Sequence, residues 1–259
     1  MDFIKTNEEI EILRENNLLV SLTLAEIAKH IRPGITTIEL DKIAEEFIRD
    51  HGAIPAFKGY RGYPATLCTS VNEQVVHGIP SKYELKEGDI ISVDCGTFKN
   101  GFYGDSAYTF EVGIVDTEVR KLLKITKECL ILGAEKAIAG NRVGDIGYVI
   151  QEHAERNGFS IVREMVGHGI GRNLHESPEI PNYGKRGTGP KLMNGQVICI
   201  EPMINMGKRT IKQKNDGWTL FAADKKPSAH FEYAVAVRAY KADVLTTFEY
   251  IEEVLKNKK

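Results

Sequence analysis

Apolar residues at Ile10, Leu13, Leu18, Leu24, Ile27 and Ile31 recur at the spacing of an amphipathic helix. Thr6-Asn7-Glu8-Glu9 reads as its capping box, and Pro33-Gly34 stops it. A second capping box, Thr36 to Glu39, opens a helix with Leu40, Ile43, Ala44 and Phe47 inward, ending near Gly52. Ala53 to His77 mixes Gly, Pro and Tyr around a short strand at Ala65 to Ser70. Ile90 to Phe110 then reads as two β-prone runs about Lys99-Asn100-Gly101, a hairpin signal. Helices are predicted over Glu118 to Ala139 and Gly144 to Asn157, with Gly158 as C-cap. Strands follow at Ile161 to Val166, Gln196 to Met203 and Ala229 to Arg238, and the tail from Thr246 to Lys259 is weakly helical.

The second half repeats the first. At a shift of 106 residues Gly34 falls on Gly140, Leu40 on Ile146 and Gly52 on Gly158; at 107, the run Leu85 to Asp94 falls on Leu192 to Glu201. Asp105 is answered by Glu232 in the partner strands. An acid therefore stands at each of four matched strand positions. The expectation is an α+β architecture: one domain over residues 1–259, with pseudo-symmetric halves of about 1–112 and 113–259. Each half is helix, helix, hairpin, and both hairpins share one curved antiparallel sheet with Asp94, Asp105, Glu201 and Glu232 converging at its centre.

Those four acids change the picture from fold to chemistry. In the first hairpin a turn at Lys99-Asn100 sets Asp94 opposite Asp105, and a turn at Asn100-Gly101 makes them diagonal neighbours. Both arrangements bring the carboxylates to about 5–8 Å. A three-residue loop would instead part them. Like charges so close call for a shared proton or a bound cation, and isolated buried carboxylates are costly. His168, within Gly167-His168-Gly169-Ile170-Gly171, offers one imidazole on a backbone that its glycines let approach closely. An oxygen-rich set with one imidazole suits manganese, iron, cobalt or zinc better than a thiolate site does. Asp105 and Glu232, on paired strands, could bridge two ions that activate a water between them. His77 and His175 are available to a substrate, and His230 shares a face with Glu232 at one remove. His30, His51 and His153 fall in helical stretches and read as structural. Cys95 and Cys199, beside acid candidates, read as packing.

Bulk properties narrow the classes. A net charge of −2 over 259 residues gives no global footprint for DNA or membrane. The acidic N-terminus lacks an apolar signal core, and no run approaches a membrane span. Four cysteines without C-x-x-C spacing fit a reduced, cytoplasmic protein.

The segment Asn72 to Pro80 and the motifs SVDCGTFKNGFYGDSA, GHGIGRNLHESPEIPNYG, ICIEPMI and SAHFEYAVAV resemble those of the methionine aminopeptidases, in the type I bacterial form, over essentially the whole chain. The resemblance implies the pita-bread fold and a monomeric hydrolase. Such an enzyme removes the initiator methionine from nascent chains and prefers a small second residue. It implies dinuclear ligands Asp94, Asp105, His168, Glu201 and Glu232, with Asp105 and Glu232 bridging. His77 would lie at the scissile bond and His175 at its carbonyl, with Glu201 shuttling the proton of the bridging water. The methionine pocket would comprise Tyr60, Tyr63, Cys68, Met203 and Trp218, and Leu174 stands where an aromatic is frequent. Asn72 and Ser228 would help hold a sodium or potassium ion. The basic loop Lys208, Arg209, Lys212 and Lys214 is a candidate for transient contact with ribosomal RNA. Only 26 positions separate His175 from Glu201, too few for the helical insertion of type II forms, and the chain carries no N-terminal zinc-finger extension. A proline-directed peptidase of the same fold has a domain ahead of the core, whereas here the catalytic pattern begins by His77. A non-enzymatic binding module of this fold would have lost ligands that this chain keeps.

Overall fold

The computed structural model describes residues 3–258. Both expected capping boxes form: Thr6 and Glu9 close the start of α1 (Asn7–His30), and Thr36 and Glu39 that of α2 (Thr37–Asp50). The chain continues through β1 (Ile54–Pro55), β2 (Leu67–Val71) and β3 (Gln74–Val76) into the long hairpin of β4 (Ile90–Lys99) and β5 (Phe102–Glu111). The second half opens with α3 (Thr117–Glu135) and α4 (Val143–Arg156). Short strands follow: β6 (Ser160–Ile161), β7 (Gly167–Gly169), β8 (Glu176–Ile180), β9 (Val197–Ile200), β10 (Met203–Asn205), β11 (Ile211–Gln213) and β12 (Leu220–Ala222). Then come β13 (Ser228–His230), β14 (Tyr233–Ala236), β15 (Asp243–Val244) and α5 (Glu249–Asn257). The predicted helical tail is α5; its last residue, Lys259, lies outside the described residues. Among the described residues no helix is long and apolar enough to cross a membrane.

The first hairpin resolves the turn. Lys99 pairs with Phe102, so Asn100-Gly101 forms the turn, with φ of +54° and +81°, as a type I′ turn requires. Asp94 then faces Ala107 and Asp105 faces Gly96, which makes the two acids diagonal neighbours. In the second half β9 pairs with β14, Ile200 opposite Tyr233.

The strands expected at Gln196 to Met203 and Ala229 to Arg238 are each interrupted, and the interruptions carry the acids. Pro202 has no N–H to give a ladder, so β9 ends at Ile200 and leaves Glu201 outside it. Glu232 falls between β13 and β14, and its N–H turns to the Ala107 carbonyl of β5 at 3.0 Å. Ser106 Oγ donates to the Glu232 carbonyl (2.8 Å) and Thr109 Oγ1 to the His230 carbonyl (2.7 Å). The two hairpins thus lie side by side, but along this seam side chains replace part of the expected continuous ladder.

The helices hold the hairpins from behind. Leu18, expected inward, is only half-buried; Asn16 and Asn17 are buried instead. Asn16 Nδ2 donates to the carbonyls of Lys99 (2.9 Å) and Phe102 (3.1 Å), and Asn17 Oδ1 accepts the Asp105 N–H at 3.0 Å. Two amides on the helix's inward face, between Leu13 and Val20, therefore fix the strand that carries a candidate ligand. β5 can approach so closely because Gly104 lies against the Asn16 backbone, where a Cβ would stand 2.9 Å from its carbonyl carbon. Gly104→Ala is expected to cost about 2–3 kcal/mol, measured as a lower urea midpoint at unchanged slope. An unchanged midpoint would show that this contact does not set stability.

Candidate metal centre

Asp94, Asp105, His168, Glu201 and Glu232 line one cavity of about 270 Å³, together with His77 and His175. Asp94 and Asp105 come from the first hairpin, Glu201 and Glu232 from the two ladder breaks, and His168 from β7. Gly167 lets β7 pack on β9, since a Cβ there would overlap the Cys199 carbonyl oxygen. His168 Nδ1 stands 2.9 Å from the Gly169 carbonyl. With the proton on Nδ1 donated to that oxygen, the Nε2 lone pair faces the acids, 3.5 Å from Glu201 Oε1 and 3.8 Å from Asp105 Oδ2.

Electrostatically the arrangement is unfinished. Asp94 Oδ1, Asp105 Oδ1 and Glu232 Oε1 are buried without a hydrogen-bond partner. Burial pushes the Asp94 carboxyl up to about 7, against hydrogen bonds from Asp105 and the Cys95 N–H. It pushes Asp105 well above its ordinary range, aided by the charges of Glu232 and Asp94. Glu201 and Glu232 rise for the same reason, each also facing Asp94. Burial holds His168 neutral, down to about 3. Of the residues lining the cavity the one Lys or Arg is Arg61. Orphaned acceptors and four crowded acids are a donor set that fits divalent cations.

A second group flanks the acids. Tyr60 OH and His175 Nδ1 are 2.8 Å apart, and the rings of His175 and His168 are 4.2 Å apart. Burial, then Arg61, lowers the His175 pKa. His77 is held down to about 4 by burial and by His175, and its backbone adopts φ +59°, a strained value for a non-glycine residue. Tyr63 and Trp218 meet edge to face at 5.1 Å, and Cys68 lies beside them in the cavity wall with Leu174.

Of the residues expected in the pocket, Met203 is not brought to the cavity. It is fully buried behind the wall, in the apolar cluster whose Val76 and Met165 do line the cavity. Cys199 packs as expected, in an apolar cluster with Val197, Ala234 and Ala236. It is buried, yet its Sγ lies within 4.8 Å of ligand atoms of Asp105, His168 and Glu232. Its place two residues before Glu201 on one strand face was the available signal. Phe57, Arg61, Glu164, Met165 and Val166 also line the cavity without having been singled out; the strand expected over Ile161 to Val166 ends at Ile161, so the last three stand in irregular backbone. His230 is buried with both ring nitrogens unpartnered, Nε2 being 3.8 Å from Glu201 Oε2. His30, His51 and His153 pair with Glu26, the Phe47 carbonyl and Glu128, as structural histidines do. Asn72 and Ser228 meet through a 2.9 Å bond from the Ser228 N–H to the Asn72 carbonyl, while the Asn72 side chain bonds Asp89 and the Ile90 N–H.

The model of metallopeptidase family M24 matches residues 11–239. A methionine aminopeptidase of Clostridium perfringens is 53% identical over 246 residues, 95% of this chain and 99% of that one. Methionine aminopeptidase 1 of Bacillus subtilis is 49% identical over 95% of this chain and 99% of its own. The crystal structure of the methionine aminopeptidase from Rickettsia prowazekii superposes with a TM-score of 0.94 at 40% identity, covering 95% of this chain and all of that one. The α+β architecture is accordingly the pita-bread fold. With the acids, the imidazole and the matched length all in agreement, the chain belongs to metallopeptidase family M24, among its methionine aminopeptidases.

Proposed function

We propose that this protein hydrolyses the peptide bond after an N-terminal methionine, releasing the initiator residue from new polypeptides whose second residue is small. The observation that carries the reading is the convergence of four acids and His168 in one cavity, beside His77 and His175. Asp94, Asp105, His168, Glu201 and Glu232 would hold two divalent ions, drawn from cobalt, manganese, iron or zinc. When bound, such a pair supplies the missing counter-charge, lowers the pKa of a water and polarises a carbonyl. A monovalent ion beside Asn72 and Ser228 belongs to the same proposal, as does contact of the 208–214 loop with the ribosome.

The chain's own residues do the rest. With the Tyr60 hydroxyl donating to Nδ1, His175 carries its proton on Nε2 and can donate to the scissile carbonyl oxygen as it gains charge. His77, held neutral, is suited to hydrogen-bond the substrate backbone without adding charge. Glu201, a carboxylate beside His168 at the centre, accepts a proton from the attacking water and passes it to the departing amine. Tyr63, Trp218 and Cys68 form an aromatic and sulfur-lined slot suited to a thioether.

The test is hydrolysis of Met-Ala-Ser by protein stripped of metal and reloaded with one ion at a time, beside Ala-Pro-Ala. Cleavage of the first alone, restored by divalent ions, is expected. Preference for the proline peptide would replace the reading with a proline-directed one.

A further inference from the structure

The metal cavity opens into a second hollow, and His77, Glu164, Met165 and Trp218 line both. The floor of the outer hollow is one face of the β11–β12 hairpin. Gln213 stands opposite Leu220 in that ladder, with Ile211 two residues before Gln213. These three side chains therefore share a face, and all three line the outer hollow. The facing wall is the irregular stretch between β6 and β7, where Glu164 is exposed. Its carboxylate accepts the Arg163 N–H at 3.1 Å and makes no ion pair among the described residues. Lys212 borders the outer hollow but not the inner cavity.

We infer that the outer hollow is the subsite for the third and following residues of the polypeptide substrate, and that Glu164 selects against an acidic third residue. The inference rests on the peptidase reading. A chain held by its first residue in the inner cavity has to leave it, and the hollow continuous with that cavity is the route. An extended chain advances about 3.3 Å per residue, so the first side chain past the small second one arrives at the wall both hollows share, where Glu164 stands. Lys212 meets residues further out. The apolar floor of Ile211 and Leu220 accepts an extended chain of any charge. Discrimination therefore comes from the carboxylate at the entrance, through a wet and salt-sensitive interaction.

The test measures kcat/KM of the metal-loaded enzyme on Met-Ala-Lys-Phe, Met-Ala-Gln-Phe and Met-Ala-Asp-Phe. A Lys-to-Asp ratio on the order of fivefold is expected, shrinking towards unity in about 0.5 M salt. Glu164→Gln should bring the ratio close to one and Glu164→Lys should invert it. Because each ratio is read within one enzyme sample, metal occupancy cancels. A ratio unchanged in both variants overturns the subsite. If the parent enzyme cleaves the Gln peptide but shows no charge preference, the subsite alone fails. If the parent does not cleave it, the peptidase reading fails too.

Discussion

Asp105→Asn is expected to remove metal binding and activity together while leaving the fold intact. The residue is 4% exposed, its Oδ1 has no partner, and its Oδ2 faces His168. Its backbone is fixed independently, by Asn17 Oδ1 on the Asp105 N–H. The amide keeps the shape but removes the charge that a divalent ion needs. kcat/KM on Met-Ala-Ser should fall by on the order of a thousandfold or more, with bound metal per chain falling in parallel. The metal-free variant should be no less stable than the parent, since it removes one charge from a crowd of buried acids. Thermal unfolding, metal analysis and rates on one preparation separate these effects. Turnover retained with Asn at 105 would sink the assignment of the centre.

The second large effect is the pH dependence of the metal-free protein. Burial first, and mutual repulsion second, raise Asp105, Glu201 and Glu232 well above their ordinary range, and burial raises Asp94 to about 7. A raised folded pKa means the folded state keeps protons that the unfolded chain has already released. Its stabilising contribution is present at low pH and is lost as pH rises through the folded value. The buried imidazoles act oppositely: burial takes His168 and His230 down to about 3 and His77 to about 4. They cost stability only below about 6.5, where the unfolded chain takes up their protons. As pH climbs beyond the range in which unfolded histidines, His175 among them, take up protons, the carboxyls dominate, so the metal-free protein should lose stability as pH rises through about 7, the Asp94 value.

Divalent ions should reverse that loss. They bind ionised carboxylates, so binding at pH 6.5 should release protons, and fewer at higher pH. Metal at about a hundred times its Kd adds about 2.7 kcal/mol of stability. Titration calorimetry in buffers of different ionisation enthalpy reads the protons directly. A binding heat that does not depend on the buffer would show that the acids were already ionised in the metal-free state.

Much of the site was legible because it uses local rules. The Asn-Gly signal and period-2 alternation offer a shared face for Asp94 and Asp105, and the two-residue turn that forms is one that gives it. The 107-residue repeat carried that inference to Glu201. What the local rules missed lies where the chain obeys no period. Glu201 and Glu232 were read as strand residues, yet each sits in a break, one made by Pro202 and the other by a turn of the backbone toward Ala107. Likeness puts Met203 in the pocket; the structure puts it one layer behind, against Val76, which lines the cavity. Cys199 packs as its burial pattern implies, and the same strand also brings its Sγ near the acids.

The sequence by itself determined the helices and their caps, the first hairpin, the acidic and imidazole composition of the centre and the family. These rest on residue spacing, which acts over one turn or one strand pair. Tertiary packing alone chose the partners of Asn16 and Asn17 on β5, joined the two hairpins through side chains and opened a second hollow beside the first. Those outcomes depend on groups far apart in the chain satisfying one another's hydrogen bonds and volume, and no periodicity encodes such pairings.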